Sequence, residues 1–329
     1  MNAKLRGTFQ YIGMITLAVL LLWLSLRTIP DVEGESKFDF IWQTWQRSNK
    51  WYLLCMAAVA MLSHVIRAYR WQMLLKAAKN KVSIGNSFLS LMVGYLVNLG
   101  VPRGGEISRC YSLLKLEKTP VEVSFGTVVA ERVVDVLCLI LLIAISFFVE
   151  WDKLIAFINT LSITSGNGGN FYKWLIVGGL GLFGLGGLIF VFRKNEKFRK
   201  IVQGFRNGLL SIFKLERSFQ FIILSVFIWF LYFVMSYFVI IAFPETEVLE
   251  FSAVLTLFAM GAIAMAAPLP GGAGSYHTIV PLGLVLLYGL PKGDAVAFVF
   301  IFHAWQTFVM IVAGVVSLII SYLILRWKR

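Results

Sequence analysis

The sequence predicts an all-α, polytopic integral membrane protein, with about six full spans and two broken or re-entrant helical hairpins in an inverted-repeat arrangement. Apolar types make up 59% of the 329 residues, charged types only 14%, and the mean hydropathy is +0.80. Soluble domains are nearer half apolar and a quarter charged. Several apolar runs also approach the 20 residues that cross a bilayer, and two others break at Pro and Gly. Together these observations exclude a soluble enzyme, a disordered protein and a secreted disulfide scaffold.

Six apolar runs are the predicted full spans. In chain order they are Tyr11–Leu26, Trp51–Ile66, Ser124–Val149, Trp174–Phe192, Phe219–Phe243 and Ala295–Leu325. Lys4 and Arg6 precede the first run, but no small-residue cleavage site follows it. The first run is therefore interpreted as a membrane helix rather than as a signal peptide.

Two further apolar regions are interrupted. Phe88–Leu99 offers roughly 18 Å of helix before the Gly-rich turn Gly100–Glu106. Phe251–Ala267 runs into Pro268–Gly274, and the apolar segment Ser275–Leu290 follows. Broken backbone at membrane depth is tolerated where it is buried in protein or lines a wet cavity. Each region is therefore predicted to form a hairpin, and whether each hairpin is re-entrant or fully spanning stays open.

Loop charges predict the orientation, because cytoplasmic loops carry an excess of Lys and Arg. The net charge is +13. The basic segments, predicted to be cytoplasmic, are Arg67–Ser87, Arg193–Ser218 and Arg326–Arg329. The acidic or nearly neutral segments, predicted to face outside, are Arg27–Lys50, Glu150–Lys173 and Pro244–Glu250. Both termini are then cytoplasmic.

The resulting order is two spans, a hairpin and a span, followed by the same order upside down. Phe88–Glu122 then enters and leaves on the cytoplasmic side, and Phe251–Leu290 does so on the outside. The chain is predicted to be a single transmembrane domain, residues 1–329, with repeat halves of roughly 1–149 and 174–329. Inverted repeats whose broken helices meet near the midplane are typical of transporters.

The strongest local signal is a set of three charges inside a predicted span: Glu131, Arg132 and Asp135. They fall within about 100° of helix surface and roughly 10–17 Å along the helix, near the middle of a ~30 Å core. Charges at that depth are costly and usually face a cavity or a partner. Two acids against one arginine need a further partner or a proton. A polar site, a proton relay and a structural ion-pair cluster all stay open.

The first break supplies cationic partners for these acids. Arg103 and Arg109 lie on either side of Glu106, and Asn98 precedes the Gly-rich turn that opens a new helix. Free N–H groups at a helix N-terminus and two guanidinium groups suit a phosphate or carboxylate. The sequence therefore predicts an anion site here. The alternative is a cytoplasmic loop whose arginines meet lipid headgroups nonspecifically.

The second break supplies different chemistry. Ser275, Tyr276 and His277 follow its glycines, and His303 and Gln306 share one face of the last predicted span. These side chains are interpreted as phosphate donors, proton carriers or packed core groups. No metal ion or cofactor is expected, because three scattered histidines do not make a metal site.

Two sequence motifs lie in surroundings that do not support their usual function. Gly179–Gly184 spells GxGxxG inside an apolar run, not between a strand and a helix, so nucleotide binding is not expected. The basic stretch Arg193–Arg217, interleaved with phenylalanines, is predicted to lie on anionic lipid rather than on nucleic acid. Transport by such a chain is then passive or gradient-driven.

Three elements of the sequence form a combined pattern over nearly the whole chain. They are Gly94-Tyr95 with Asn98 through Arg109, then Val128 through Asp135, then Pro270 through Gly274. In order and spacing this pattern resembles the lysylphosphatidylglycerol synthase transmembrane family, the flippase-like module of the multiple peptide resistance factor. The resemblance implies a role in moving a lipid or lipid-linked headgroup across the bacterial inner membrane. It carries over, as polar-site residues, to Arg103, Glu106, Arg109, Glu131, Arg132 and Asp135.

The sequence departs from that family in two places. Many members have an acidic residue where this chain has His277, and an arginine near the position of His303. The headgroup is therefore expected to differ from that of aminoacylated phosphatidylglycerol. The sequence ends at Arg329 without the cytosolic aminoacyl-transferase domain, so it is not expected to synthesise a lysyl-lipid by itself.

The leading functional hypothesis is a non-enzymatic flippase or transporter of a phospholipid or lipid-linked anionic headgroup in the bacterial inner membrane. One alternative is a non-transporting membrane partner of a lipid or cell-envelope synthase. Another is an intramembrane lipid-modifying enzyme that uses Glu106 or Glu131 with a histidine as an acid–base pair. The expected partner is an anionic or lipid-linked membrane lipid. An envelope-synthesis enzyme and further copies of the chain stay open as protein partners.

Overall fold

The structure, a computed structural model of the chain, describes residues 36–151, 210–266 and 269–327, with a few single positions within 16–26 and 203–207. All the regular elements in these ranges are helical, as predicted. The α-helices are α1 Lys37–Arg47, α2 Lys50–Ala77, α3 Ile84–Gly100, α4 Gly104–Glu117, α5 Val121–Val149, α6 Ser218–Ile240, α7 Phe251–Ala266, α8 Ser275–Tyr288 and α9 Lys292–Trp327. Two short 3-10 turns occupy Leu210–Lys214 and Pro270–Gly272.

Three of the described helices, α2, α6 and α9, are long and apolar enough to cross a membrane by length and composition. They contain the predicted runs Trp51–Ile66 and Ala295–Leu325 and nearly all of Phe219–Phe243. Helices α3 and α7 are shorter and apolar, and α5 has 29 residues and carries internal charges. Most of Tyr11–Leu26 and all of Trp174–Phe192 lie outside the described residues. The number of spans and the inverted repeat therefore stay predictions.

The main difference from the sequence prediction is where α2 ends. The predicted span stops at Ile66, and Arg67–Ser87 is predicted to be a cytoplasmic loop. The helix instead continues to Ala77, and both Arg67 and Arg70 lie inside it with their side chains buried. Charge counting takes arginines after an apolar run as a loop, because an unpaired arginine is costly in a membrane. Here ion pairs with α5 offset that cost.

Helices α2 and α6 pack against each other in opposite directions. The Asn49 amide at the start of α2 donates to the Ala242 carbonyl just after α6, at 2.6 Å. At the opposite end, Lys76 lies 3.7 Å from Glu216. The described parts of two segments predicted to face outside, Arg27–Lys50 and Pro244–Glu250, therefore lie at one end of this pair. The described parts of two segments predicted to be cytoplasmic, Arg67–Ser87 and Arg193–Ser218, lie at the other end.

Helix α1 lies at the Asn49 end of this pair and packs on α9. Its first turn is a capping box, in which Ser36 and Asp39 satisfy each other's backbone amides. The hydroxyl and the amide of Ser36 both donate to the Asp39 carboxylate and lower its pKa. Arg47 in the last turn pairs with Glu245 at 3.0 Å. Phe38 is exposed, as expected for a helix at a membrane–water interface.

Helices α3 and α4 form the first predicted hairpin, and they touch backbone to backbone. A Cβ on Gly105 would lie 2.1 Å from the Gly94 carbonyl oxygen and 2.6 Å from Asn98 Cγ. The Asn98 side chain accepts a hydrogen bond from the Gly105 amide at 2.7 Å. Arg103 turns the chain with φ +59° and begins α4. The Gly-rich break therefore allows two helices to pack more closely than side chains would permit.

Helices α7 and α8 form the second predicted hairpin. The turn between them places Gly271 and Gly274 at φ +57° and +91°, in the region that favours glycine. The Ser275 hydroxyl donates to the Ala264 carbonyl at 2.8 Å, which ties the start of α8 to α7. Both breaks that the sequence predicts are thus present in the structure.

The turns of the two hairpins meet. A Cβ on Gly271 would lie 3.3 Å from Leu99 Cδ2, at the end of α3. Helix α9 supports the same region, because Gly314 allows it to lie against Leu96 of α3. The long apolar helix α9 therefore links the first hairpin to the second.

Candidate functional site

Five charged side chains from three helices meet inside the protein. They are Arg67 and Arg70 of α2, Arg109 of α4, and Glu131 and Asp135 of α5. The spacing explains the meeting, because residues three or four apart share one face of a helix. The arginines of α2 therefore face the carboxylates of α5, and α4 adds a third arginine. We call these five residues the charge cluster.

Glu131 is the centre of the charge cluster. Its Oε1 lies 2.7 Å from Arg67 Nε and 3.0 Å from Arg70 Nη2. Its Oε2 accepts a hydrogen bond from Arg109 Nη2 at 2.6 Å. The side chain is 0% exposed. A buried carboxylate with three arginine partners ties α2, α4 and α5 together.

Asp135 lies one turn further along α5 and binds the same two arginines of α2. Its Oδ2 is 2.5 Å from Arg67 Nη2, and its Oδ1 is 2.7 Å from Arg70 Nη2. The sequence leaves open whether the acids of α5 are balanced by cationic partners or by a proton. In the structure they have cationic partners. The arginines of α2 hold both carboxylates.

A second ion pair lies at the edge of the charge cluster. Arg132 Nε donates to Glu106 Oε1 at 2.8 Å, and Arg132 Nη1 lies 3.3 Å from Asp135 Oδ2. The Arg132 and Glu106 side chains are 38% and 30% exposed. This pair, which we call the outer pair, is therefore half-exposed, whereas the charge cluster is almost completely buried.

Helix α6 closes the charge cluster with neutral groups. Arg67 Nη1 donates to the Tyr232 hydroxyl at 2.9 Å. Arg70 Nη1 donates to Ser225 Oγ at 3.0 Å. These bonds occupy guanidinium donors that the carboxylates do not reach, as buried polar groups require.

Arg109 is the least satisfied member of the charge cluster. Its guanidinium lies 4.4 Å from the centre of the Trp71 ring, in a cation–π contact. Its Nη2 binds Glu131, but its Nε and Nη1 are buried without a hydrogen-bond partner among the described residues. The side chain is only 3% exposed. Two buried guanidinium donors of Arg109 thus lack an acceptor among the described residues.

The network as a whole carries an excess of positive charge. Adding the outer pair to the charge cluster gives four arginines and three carboxylates among the described residues, so one positive charge remains. Buried charges are normally paired, because an unpaired ion loses its hydration without compensation. A single negative charge would balance this excess.

The network lies nearer one end of α2 and α5 than the other. Arg67 is roughly 15 Å from Ala77 and 25 Å from Lys50 along α2. Glu131 is roughly 15 Å from Val121 at the start of α5. The position of these charges relative to the membrane midplane stays a prediction.

The residues predicted near the first break lie in different environments in the structure. Arg109 contacts the acid Glu131 of α5, and Glu106 contacts Arg132 of α5. Arg103 lies on the exposed turn before α4, outside the buried network. Asn98 lies inside the hairpin, where its side chain accepts from Gly105.

Sequence reasoning missed Arg67 and Arg70, together with their α6 partners Tyr232 and Ser225. A usable signal was present, because Arg67 and Arg70 are an i,i+3 pair directly after an apolar run. The acids of α5 are spaced similarly, four residues apart. A predicted second helix that extends past Ile66 would therefore have placed both arginines on one face, where they could pair with these acids.

The predicted residues of the second break form a separate group of rings. His303 Nε2 lies 3.0 Å from the Gly271 carbonyl oxygen. The His303 ring stacks on Tyr276 at 5.5 Å and meets the His277 ring edge-on at 4.7 Å. Gln306 is half-buried one turn further along α9. Ser275 contacts backbone carbonyls only, at Ala264 and Gly272.

Comparisons with known proteins agree with this membrane architecture. A UPF0104 membrane protein of Methanocaldococcus jannaschii, MJ1595, is 32% identical over 124 residues, which are 37% of this chain and 37% of that relative. The match thus spans little more than a third of the relative's length. No solved structure matches the chain. The family model described as the lysylphosphatidylglycerol synthase TM region matches residues 11–314. The chain therefore belongs to the lysylphosphatidylglycerol synthase transmembrane-region family of membrane proteins.

Proposed function

We propose that this protein carries a lipid with an anionic phosphate headgroup across the bilayer, and that Arg109 holds the headgroup during passage. The observation that carries the proposal is the open positive charge of the network. One arginine exceeds the carboxylates, and two buried Arg109 donors have no partner among the described residues.

A phosphodiester matches the network in charge and in hydrogen bonding. It carries one negative charge, which equals the excess of the network. Its oxygens accept paired N–H bonds from a guanidinium group, and such charge-assisted bonds are the strong ones in proteins. A neutral or cationic headgroup would leave the excess uncompensated.

The scaffold supports transport rather than static binding. Two broken helical hairpins meet at their turns, and a charged network lies beside the first. Transporters place substrates where broken helices meet within the membrane. No nucleotide-binding motif is recognised in the sequence, so the proposed transport is downhill or coupled to an ion gradient.

The arrangement of the carboxylates bears on the enzymatic alternative. Both oxygens of Glu131 are occupied by arginines, and Glu106 is bound to Arg132. A general base needs an oxygen within hydrogen-bond reach of the proton that it removes. Glu131 presents no such oxygen, which favours transport over a lipid modification that uses Glu131 as the base.

The test is lipid movement in vesicles of phosphatidylcholine and phosphatidylglycerol that contain purified protein. A fluorescent phosphatidylglycerol in the inner leaflet becomes accessible to a membrane-impermeant quencher when it crosses. Arg109→Gln leaves two arginines and two carboxylates in the charge cluster, so the protein is expected to fold. We expect the protein-dependent rate to fall at least tenfold, as the loss of one charge-assisted bond predicts, about 1.4 kcal/mol or more.

Lys115→Gln is the matched control, since it removes a positive charge from an exposed position of the same helix. It should leave the rate unchanged. Wild-type transport in a folded Arg109→Gln variant would remove Arg109 from the headgroup site. Absence of protein-dependent movement in the wild type, for all lipids supplied, would favour the role of a non-transporting partner.

A further inference from the structure

The outer pair, Glu106 and Arg132, occupies a surface where an ion pair is unexpected. Its neighbours on α4 include Ile107 and Tyr111, and both are more than half exposed. On α5 the exposed neighbours include Val136, with 53% of its surface accessible. Exposed apolar side chains on membrane helices contact hydrocarbon chains, where charges are costly. The outer pair therefore lies at the border between the buried network and an apolar surface.

The outer pair is also connected to the interior by a continuous series of charges. Arg132 reaches Asp135 at 3.3 Å, and Asp135 binds the two arginines of α2. Those arginines share Glu131 with Arg109. A charged headgroup that starts at Arg132 would thus meet charged groups along the whole distance to Arg109.

The series of charges runs from the surface of the protein to its interior, because Arg132 is more exposed than Arg109. Arg132 is the most exposed cation of the network at 38%, and Arg109 is nearly the most buried at 3%. The partner of Arg132, Glu106, lies on the hairpin helix α4, and Arg132 itself lies on α5. Separating the outer pair would therefore separate α4 from α5 at the apolar surface.

We propose that the outer pair is the lateral entrance through which the lipid reaches Arg109. The phosphate of a membrane lipid displaces the Glu106 carboxylate from Arg132 and then moves inward to Arg109. The hydrocarbon chains stay in the bilayer, against the apolar surface that Ile107 and Val136 form. This inference rests on the proposed function and adds the route by which the phosphate lipid reaches Arg109 while its chains stay in the membrane.

The entrance makes opposite predictions for its two members. Glu106→Gln removes the carboxylate that competes with the phosphate, so capture becomes easier. Arg132→Gln removes the first cation that the phosphate meets. In the vesicle assay with fluorescent phosphatidylglycerol, we expect Arg132→Gln to lower the rate about tenfold and Glu106→Gln to raise it about twofold or more.

Arg47→Gln is the matched control, because it removes an arginine that is 53% exposed from an ion pair of similar length, with Glu245, at the other end of the molecule. It should leave the rate unchanged. Thermal unfolding of each variant in detergent checks that the variants are folded. Equal loss of rate and of stability in both outer-pair variants would show a structural ion pair and overturn the entrance.

Arg109→Gln separates the two proposals. If Arg109→Gln stops transport while both outer-pair variants move lipid at the wild-type rate, the headgroup site stands and the entrance is wrong. If Arg109→Gln also moves lipid at the wild-type rate, both proposals fail. Opposite effects of the two outer-pair substitutions, with Arg109→Gln inactive, support the entrance.

Discussion

The two hairpins share an outline but are held in different ways. The first, α3–α4, is fixed to its neighbours by charges, since Arg109 binds Glu131 and Glu106 binds Arg132. The second, α7–α8, has no Asp, Glu, Lys or Arg in either helix. It is held by ring contacts and by a histidine on a backbone carbonyl.

The two hairpins therefore share their backbone shape but differ in the charge of their side chains. Both turns use glycine where backbone must approach closely or take a positive φ. Only the first hairpin brings a positively charged network with open donors to its turn. A broken helix therefore builds the framework of both hairpins, and the charged residues distinguish the first hairpin from the second.

Glu131→Gln should show the largest effect, because it tests whether charge holds the first hairpin. The substitution leaves three buried arginines with one carboxylate. Removing one partner of a buried ion pair costs about 3–5 kcal/mol. We expect a large fall in the unfolding temperature in detergent, or loss of monodisperse protein.

Glu122→Gln is the control, since it makes the same change at a half-buried position in the first turn of α5. It should change stability little. Equal unfolding temperatures for wild type and Glu131→Gln would contradict the view that charges fix this hairpin.

Gly105→Ala should have the next largest effect. The added methyl group would meet the Gly94 carbonyl oxygen at 2.1 Å, so α3 and α4 must move apart. Overpacking of this kind costs about 1–3 kcal/mol. Gly85→Ala places a methyl group where nothing lies within 4 Å and should be neutral or slightly stabilising. Thermal unfolding compares the two, and a neutral Gly105→Ala would show that the hairpin tolerates separation.

His303→Leu should have the smallest effect and sharpens the comparison. It removes the contact with the Gly271 carbonyl, and an ordinary hydrogen bond contributes about 0.5–1.5 kcal/mol. We expect a modest fall in unfolding temperature and unchanged lipid movement. His303→Gln, which keeps a side-chain N–H group, serves as the control. Loss of transport in a folded His303→Leu would show that the second hairpin also carries chemistry.

Much of the helical framework is predictable because its signals are local. Apolar runs and Pro–Gly breaks locate α6, α9 and both hairpins to within a few residues. The end of α2 is the exception. Local charge favours a loop after Ile66, but carboxylates more than sixty residues away make the continued helix favourable.

The candidate site was predictable in its acids and in one of its arginines. Glu131, Asp135 and Arg109 stand out because charges within apolar segments are rare. Arg67 and Arg70 do not, since they follow the apolar run Trp51–Ile66 directly and local charge places them in a loop after it. Arg103 is predicted to join the site but is exposed on the turn before α4. The sequence of a turn does not distinguish an arginine that is exposed from one that is buried.

The placement of Arg67 and Arg70 has a consequence for how the chain enters a membrane during synthesis. The arginines of α2 emerge from the ribosome before their carboxylates, which follow 61 to 68 residues later. Until α5 is made, α2 holds two cations with no counter-ion, and insertion of each costs about 2.5–3.5 kcal/mol. Helix α2 is therefore expected to settle only when α5 joins it, so that the two helices insert as a unit.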